Sequence, residues 1–266
     1  MVKIVLISQK GGTGKTTASV NIAYYLAKKG RKVLLCDLDP QANATLSLGI
    51  APEKLNGSIY NVLEGSSTIT EIYQSTNLPK LIVAPAGERL RDVDLVLGGA
   101  KDRWSLLKNA LKPVEKSFDL VILDCPPALN LIVLNALACS DYALISTVPS
   151  YLALEGIRAV LDTIEKVKVD FNPNLKIVGI LPNLVDRRLR ISKDSIDLLR
   201  SKFKGLIFEN IVHNCVRLAE APGFSQTIFD YAPHSQGAKD YKKVSGELLR
   251  RLSNEKRIGR KRKRDF

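Results

Sequence analysis

The chain has 266 residues, 45% of them hydrophobic, enough to bury a full core as one α/β domain. Its formal net charge of +13 is high for an enzyme that meets only small metabolites, and it points to a polyanionic partner. Two histidines and four scattered cysteines (Cys36, Cys125, Cys139, Cys215, with no C-x-x-C pair) exclude a disulfide scaffold and a histidine metal centre, and read as reduced thiols in a cytoplasmic protein.

The first apolar run, Val2 to Ile7, predicts a buried strand near 2–8. It is too short for a signal peptide or a membrane span, and neither is expected. Lys10-Gly11-Gly12-Thr13-Gly14-Lys15-Thr16-Thr17 follows directly, then a helical pattern over about 15–29 that Gly30 stops. Strand, glycine-rich turn and helix in this order form a phosphate-binding loop. Three glycines in four positions let backbone N–H groups turn inward toward an anion at the helix N-terminus. Lys15 is placed to neutralise β- and γ-phosphates, the Thr16 hydroxyl to bind Mg²⁺, and Thr17 to reach the α-phosphate. The loop departs from the common Gly-x-x-x-x-Gly-Lys spacing, because Gln9 stands where the first glycine belongs.

A second buried strand near 32–38 ends in Asp37-Leu38-Asp39-Pro40-Gln41. Two residues apart on a strand, Asp37 and Asp39 share a face. In open parallel sheets ligands lie at the carboxyl ends of strands, so these carboxylates belong near the phosphates. The reading continues with a helix at 59–64, a strand at 80–84, a charged and glycine-bearing mobile connection at 87–103 and a helix at 102–116. A strand at 118–124 ends in Asp124-Cys125-Pro126-Pro127, four apolar residues and a terminal carboxylate, which places Asp124 near Mg²⁺. Helices at 129–138, 154–168 and 191–203 alternate with strands at 141–147, 175–181 and 206–210. A last helix at about 235–252 precedes a basic, disordered tail over 254–266. From Arg250 to the end there are nine Lys/Arg against two Asp/Glu. A second basic cluster is Arg187, Arg188 and Arg190. The fold class expected is α/β: a mostly parallel twisted sheet of seven to eight strands with helices on both faces, in one ATPase domain over 1–253.

Several stretches carry a family resemblance. Lys10 to Thr17 is similar to the deviant phosphate loop of the ParA/MinD group of P-loop ATPases. Asp37-Leu38-Asp39-Pro40-Gln41-Ala42-Asn43-Ala44-Thr45, the run from Asp124 to Leu129, Leu181-Pro182-Asn183 and Val216-Arg217-Leu218-Ala219-Glu220-Ala221-Pro222 resemble chromosomal ParA (Soj) proteins. The resemblance spans roughly residues 2 to 252. It implies an ATP- and Mg²⁺-dependent switch that hydrolyses slowly and partitions DNA. Two copies would hold two ATP molecules between them, with Lys10 of each on the other's phosphates. Asp39 would be the hydrolytic residue and Asp37 the support of the metal. Asn183, Asn214 and Val216 would meet adenine. The dimer would bind double-stranded DNA nonspecifically, with Arg187, Arg188, Arg190 and Arg217 as candidate contacts. A ParB-like centromere-binding protein would trigger release, and the protein would sit in the cytoplasm on the nucleoid. The alternative is a MinD-like membrane-cycling ATPase. Beyond Leu252 only Ile258 and Phe266 are strongly apolar, so membrane binding is not expected.

Overall fold

The computed structural model describes residues 1–127 and 129–262, with side chains through Glu255. Seven strands form one sheet: β1 (Val2–Ile7), β2 (Val33–Asp37), β3 (Gln74–Ser75), β4 (Leu81–Ala84), β5 (Leu120–Asp124), β6 (Tyr142–Thr147) and β7 (Lys176–Pro182). Their order is β3-β4-β2-β5-β1-β6-β7, parallel throughout except for β3 against β4.

Near-continuous apolar strands are what a sheet covered on both faces requires. Strand alternation divides the core into two layers. Ile4, Leu6, Val33, Leu35, Ile122 and Leu144 face one layer; Val5, Ile7, Leu34, Leu123, Ala143 and Ile145 face the other. The helices, in chain order, are α1 (Lys15–Lys28), α2 (Asn43–Ser47), α3 (Ile59–Glu64), α4 (Val93–Leu97), α5 (Leu106–Leu111), α6 (Leu131–Cys139), α7 (Ala153–Asp170), α8 (Arg190–Lys202), α9 (Val216–Glu220), α10 (Ile228–Tyr231) and α11 (Gln236–Arg262). Through their buried residues α1 and α11 cover the first layer, and α3, α5, α6 and α7 the second. The chain leaves β1 through α1, crosses β5 to reach β2, and later returns through α6 across β1 to β6. The central strand β1 therefore delivers its loop between the ends of β5 and β6, where ligands collect in this architecture.

Three expectations differ from the observed fold. The segment 206–210 is not a strand: it meets β7 only through the bridge Ile180–Ile207. The N–H groups of Glu209 and Asn210 turn instead to the Glu247 carboxylate, each at 2.9 Å, so they are lost to the ladder. The stretch 87–103 is ordered structure, a 3-10 turn at Glu88–Asp92 running into α4, because Leu90, Val93 and Leu97 bury one apolar face. The last helix runs to Arg262, past the tail boundary at 254. Its Glu, Lys and Arg residues favour helix, and no proline interrupts them. Residues 263–266 of that tail lie outside the described residues.

Candidate functional site

Between β1 and α1, Gly12 and Gly14 both take positive φ (72° and 73°), the conformation that curls the backbone around an anion. A Cβ on Gly14 would approach the Asn183 amide nitrogen at 2.6 Å, whereas Gly11 faces open space. The loop is tethered from beneath. The Ser8 hydroxyl donates to the Lys10 carbonyl (3.1 Å), the Ser146 hydroxyl to the Thr13 carbonyl (2.9 Å), and the Asn183 amide to the Gly14 carbonyl (3.1 Å). Ser8 stands just past the end of β1; Ser146, in β6, carried no sequence signal, because only the sheet order brings β6 beside β1.

Lys10 is exposed at the loop entrance. Lys15 is buried: its ammonium donates to the Cys125 carbonyl and lies 3.6 Å from Asp124 Oδ1. The loop and Asp39 line one cleft of about 610 Å³, walled further by Gln41, Asn43, Arg91 and Pro127. Thr16 and Thr17 open α1 into this cleft.

Asp37 and Asp124 occupy paired positions of β2 and β5, both fully buried. Asp124 Oδ1 accepts from the Ser19 hydroxyl at 2.8 Å, and its buried Oδ2 has no hydrogen-bond partner among the described residues. Asp37 uses both oxygens: Oδ1 accepts from Asp39 N–H (3.2 Å), and Oδ2 from the N–H and the hydroxyl of Thr45 (2.8 Å each). Burial, and then the charge of Asp124, push the Asp37 carboxyl up to about 7 against the opposing pull of those hydrogen bonds. Of the two, Asp124 is the one with a carboxylate oxygen left unpartnered among the described residues. Asp37 sets the turn that carries Asp39, whose Oδ1 accepts only from Gln41 N–H (3.0 Å). The role of Thr45 was legible in part, as the last residue of the Asp37–Thr45 run; its hydroxyl also accepts from Ala86 N–H (3.2 Å).

The AAA domain family AAA_31 matches residues 1–177. The chromosome partitioning protein ParA of Myxococcus xanthus is 41% identical over 250 residues, covering 94% of this chain and 88% of the relative. The chain belongs to the ParA/Soj family of partitioning ATPases. The sporulation initiation inhibitor protein Soj of Bacillus subtilis is 37% identical over 245 residues, covering 92% and 97%. Among solved structures, cobyrinic acid a,c-diamide synthase from Mycobacterium smegmatis with bound ATP analogue and magnesium superposes with a TM-score of 0.84 at 31% identity, covering 95% and 96%.

The remaining residues predicted for this ParA/Soj chain divide by position. Asn183 is fully buried under the loop, where its amide supports Gly14. Asn214 and Val216 are exposed, and Asn214 N–H donates to the Val185 carbonyl (2.9 Å), which brings the two segments side by side. Arg188 makes a two-pronged pair with Asp186 (3.0 and 2.6 Å), and Arg217 pairs with Glu220 (2.8 Å). Arg190 lies 3.7 Å from Asp194. Arg187 has no acidic partner among the described residues. All four arginines are exposed, so these ion pairs are weak.

Proposed function

We propose that this chain is an ATP-dependent DNA-partitioning switch. ATP binds in the 610 Å³ cleft, two copies close over two nucleotides, and the closed dimer binds duplex DNA. The observation that carries the reading is the joint lining of one cleft by the phosphate loop, by exposed Lys10 and by Asp39.

The residues present fit ATP and Mg²⁺. Gly12 and Gly14 form the anion cradle, and Asp124 Oδ2 is a buried carboxylate oxygen that lacks a donor among the described residues. Thr16 and Asp124 would hold the cation, with Asp37 as support behind. Bound there, Mg²⁺ supplies positive charge to the β- and γ-phosphate oxygens. Lys15 trades the Cys125 carbonyl for those phosphates. Asp39, fixed by Gln41 N–H and free at its other oxygen, orients water toward the γ-phosphate. Lys10 crosses to the partner copy's phosphates. Asn183 acts through Gly14 on the phosphate side, while Asn214 and Val216 border the base. Hydrolysis is slow until a ParB-like partner stimulates it. Dimerisation joins two sets of Arg187, Arg188, Arg190 and Arg217 and raises affinity through effective concentration. The protein then works in the cytoplasm on the nucleoid.

Sedimentation with a non-hydrolysable ATP analogue, together with retention of random-sequence duplex, tests the reading. A nucleotide-induced dimer with a nucleotide-induced gain in DNA affinity is expected. A chain that stays monomeric at saturating analogue overturns it.

A further inference from the structure

Strand β4 ends at Ala84, which pairs with Cys36 of β2, so the segment that follows emerges at the carboxyl ends of the strands beside Asp37 and Asp39. Ala86 N–H donates to the Thr45 hydroxyl (3.2 Å), and that hydroxyl donates to Asp37 Oδ2 (2.8 Å). Asp37 Oδ1 in turn accepts from Asp39 N–H (3.2 Å). The segment after β4 and the Asp39 turn therefore hang on one buried carboxylate. Gly87 packs the join tightly: a Cβ there would stand 2.8 Å from the Ser58 hydroxyl oxygen.

The 3-10 turn at Glu88–Asp92 sends three consecutive side chains to three different places. Leu90 is buried in the core. Arg89 is held away from the nucleotide: its guanidinium lies 4.2 Å from the centre of the Tyr60 ring and pairs with Glu64 at 3.2 Å. Arg91 borders the nucleotide cleft, together with Asp39, Gln41 and Asn43. Among the described residues its one hydrogen-bonded ion pair is with Glu88, at 2.8 Å, and the Glu88 side chain is 81% exposed. A pair so open to water is worth little, which leaves the guanidinium available to another anion.

Of the cations that line the cleft, Lys15 is buried beside Asp124 and Lys10 stands at the loop entrance. Arg91 is the one carried by the segment tied to the Asp39 turn. Arginine presents a planar fork of donors that matches phosphate oxygens.

We propose that Arg91 is a further catalytic residue for ATP hydrolysis: when nucleotide binds, its guanidinium leaves Glu88 and donates to the γ-phosphate oxygens of the ATP in its own cleft. The assignment rests on ATP occupying that cleft, as proposed above. Arg91 then offsets charge on the γ-phosphoryl oxygens while Asp39 orients the attacking water. It also lets a single copy tell ATP from ADP before a partner's Lys10 arrives.

The test compares the full-length native chain with Arg91→Gln and Glu88→Gln by calorimetric titration with a non-hydrolysable ATP analogue and with ADP, each with Mg²⁺. The titrations are repeated in chains that also carry Lys10→Ala, which removes the partner's lysine from the measurement. Arg91→Gln should weaken binding of the analogue about tenfold and leave that of ADP unchanged, the loss of one charge-assisted hydrogen bond to the γ-phosphate. Glu88→Gln removes the competing carboxylate and should bind the analogue at least as tightly as the native chain. Phosphate release by Arg91→Gln should fall about tenfold or more at saturating ATP. Both variants should keep the native unfolding midpoint, because both side chains are exposed. An equal preference for the analogue over ADP in the native and Arg91→Gln chains overturns the proposal. So does a Glu88→Gln chain that loses the preference as Arg91→Gln does, since the effect then belongs to the ion pair. A native chain that binds neither nucleotide overturns the ATP reading itself, and the role of Arg91 with it.

Discussion

Asp37 and Asp124 face each other in the register of the parallel β2–β5 pair, yet their surroundings differ. Asp124 has the Lys15 ammonium 3.6 Å away; Asp37 is surrounded by neutral donors, and its carboxyl is raised to about 7 by burial and by Asp124. An acid whose folded value lies above its ordinary 3.8 binds more protons folded than unfolded between those limits. Its contribution to stability is complete below about 3.8 and is lost as pH rises through about 7. In chelator, thermal unfolding of the native chain should therefore weaken from pH 5 to pH 7.5 more steeply than that of Asp37→Asn. Parallel pH slopes for the two proteins would show that Asp37 is ionised throughout.

The two loop lysines should separate function from stability. Lys10 is exposed, so Lys10→Ala should unfold like the native chain while losing analogue-induced dimerisation. Lys15→Met leaves the buried Asp124 charge without its cation and should cost about 3 kcal/mol in urea unfolding, besides abolishing nucleotide binding. Equal stability of the two variants would remove Lys15 from the structural account.

Among the described residues the Asp39 carboxylate accepts one hydrogen bond, from Gln41 N–H, which leaves its other oxygen for water. Asp39→Ala should reduce phosphate release by about 10²-fold or more while retaining ATP and a longer-lived dimer. Phosphate release at the native rate excludes Asp39 from hydrolysis.

Glycine positions in the loop are unequal. Gly14→Ala combines positive φ with a 2.6 Å approach to Asn183 and should cost about 2 kcal/mol, with loss of ATP binding. Gly11→Ala meets nothing within 4 Å and should leave the unfolding midpoint unchanged. Denaturant titrations of both variants, read beside nucleotide binding, check the contrast.

Arg251 closes the segment that replaced the expected seventh parallel strand. It donates to the carbonyls of Val178, Gly205, Leu206 and Ile207, and it pairs with buried Glu247 at 3.0 Å. Arg251→Met strands several of these acceptors and should cost about 2 kcal/mol, measured by urea unfolding. A change below 0.5 kcal/mol, the size seen at ordinary surface sites, would mean that water replaces the arginine freely.

The sequence by itself determined the parts whose chemistry is local. Lys10 to Thr17 had to be a phosphate loop, because strand, glycines, lysine and helix follow one another without a gap. Asp39 and Asp124 were legible as carboxylates ending apolar runs, and the alternation of strand and helix determined the α/β class. Tertiary structure alone decided what depends on neighbours distant in the chain. Ser146 and Asn183 support the loop only because β6 lies beside β1 and β7 beside β6. Asp37 and Asp124 have different neighbours because Thr45 folds back onto one and Lys15 reaches the other. The run at 206–210 reads as a strand, but Glu247 and Arg251 from α11 capture its backbone groups. In each case a local preference of a few tenths of a kcal/mol per residue yields to burial and to hydrogen bonds made across the fold.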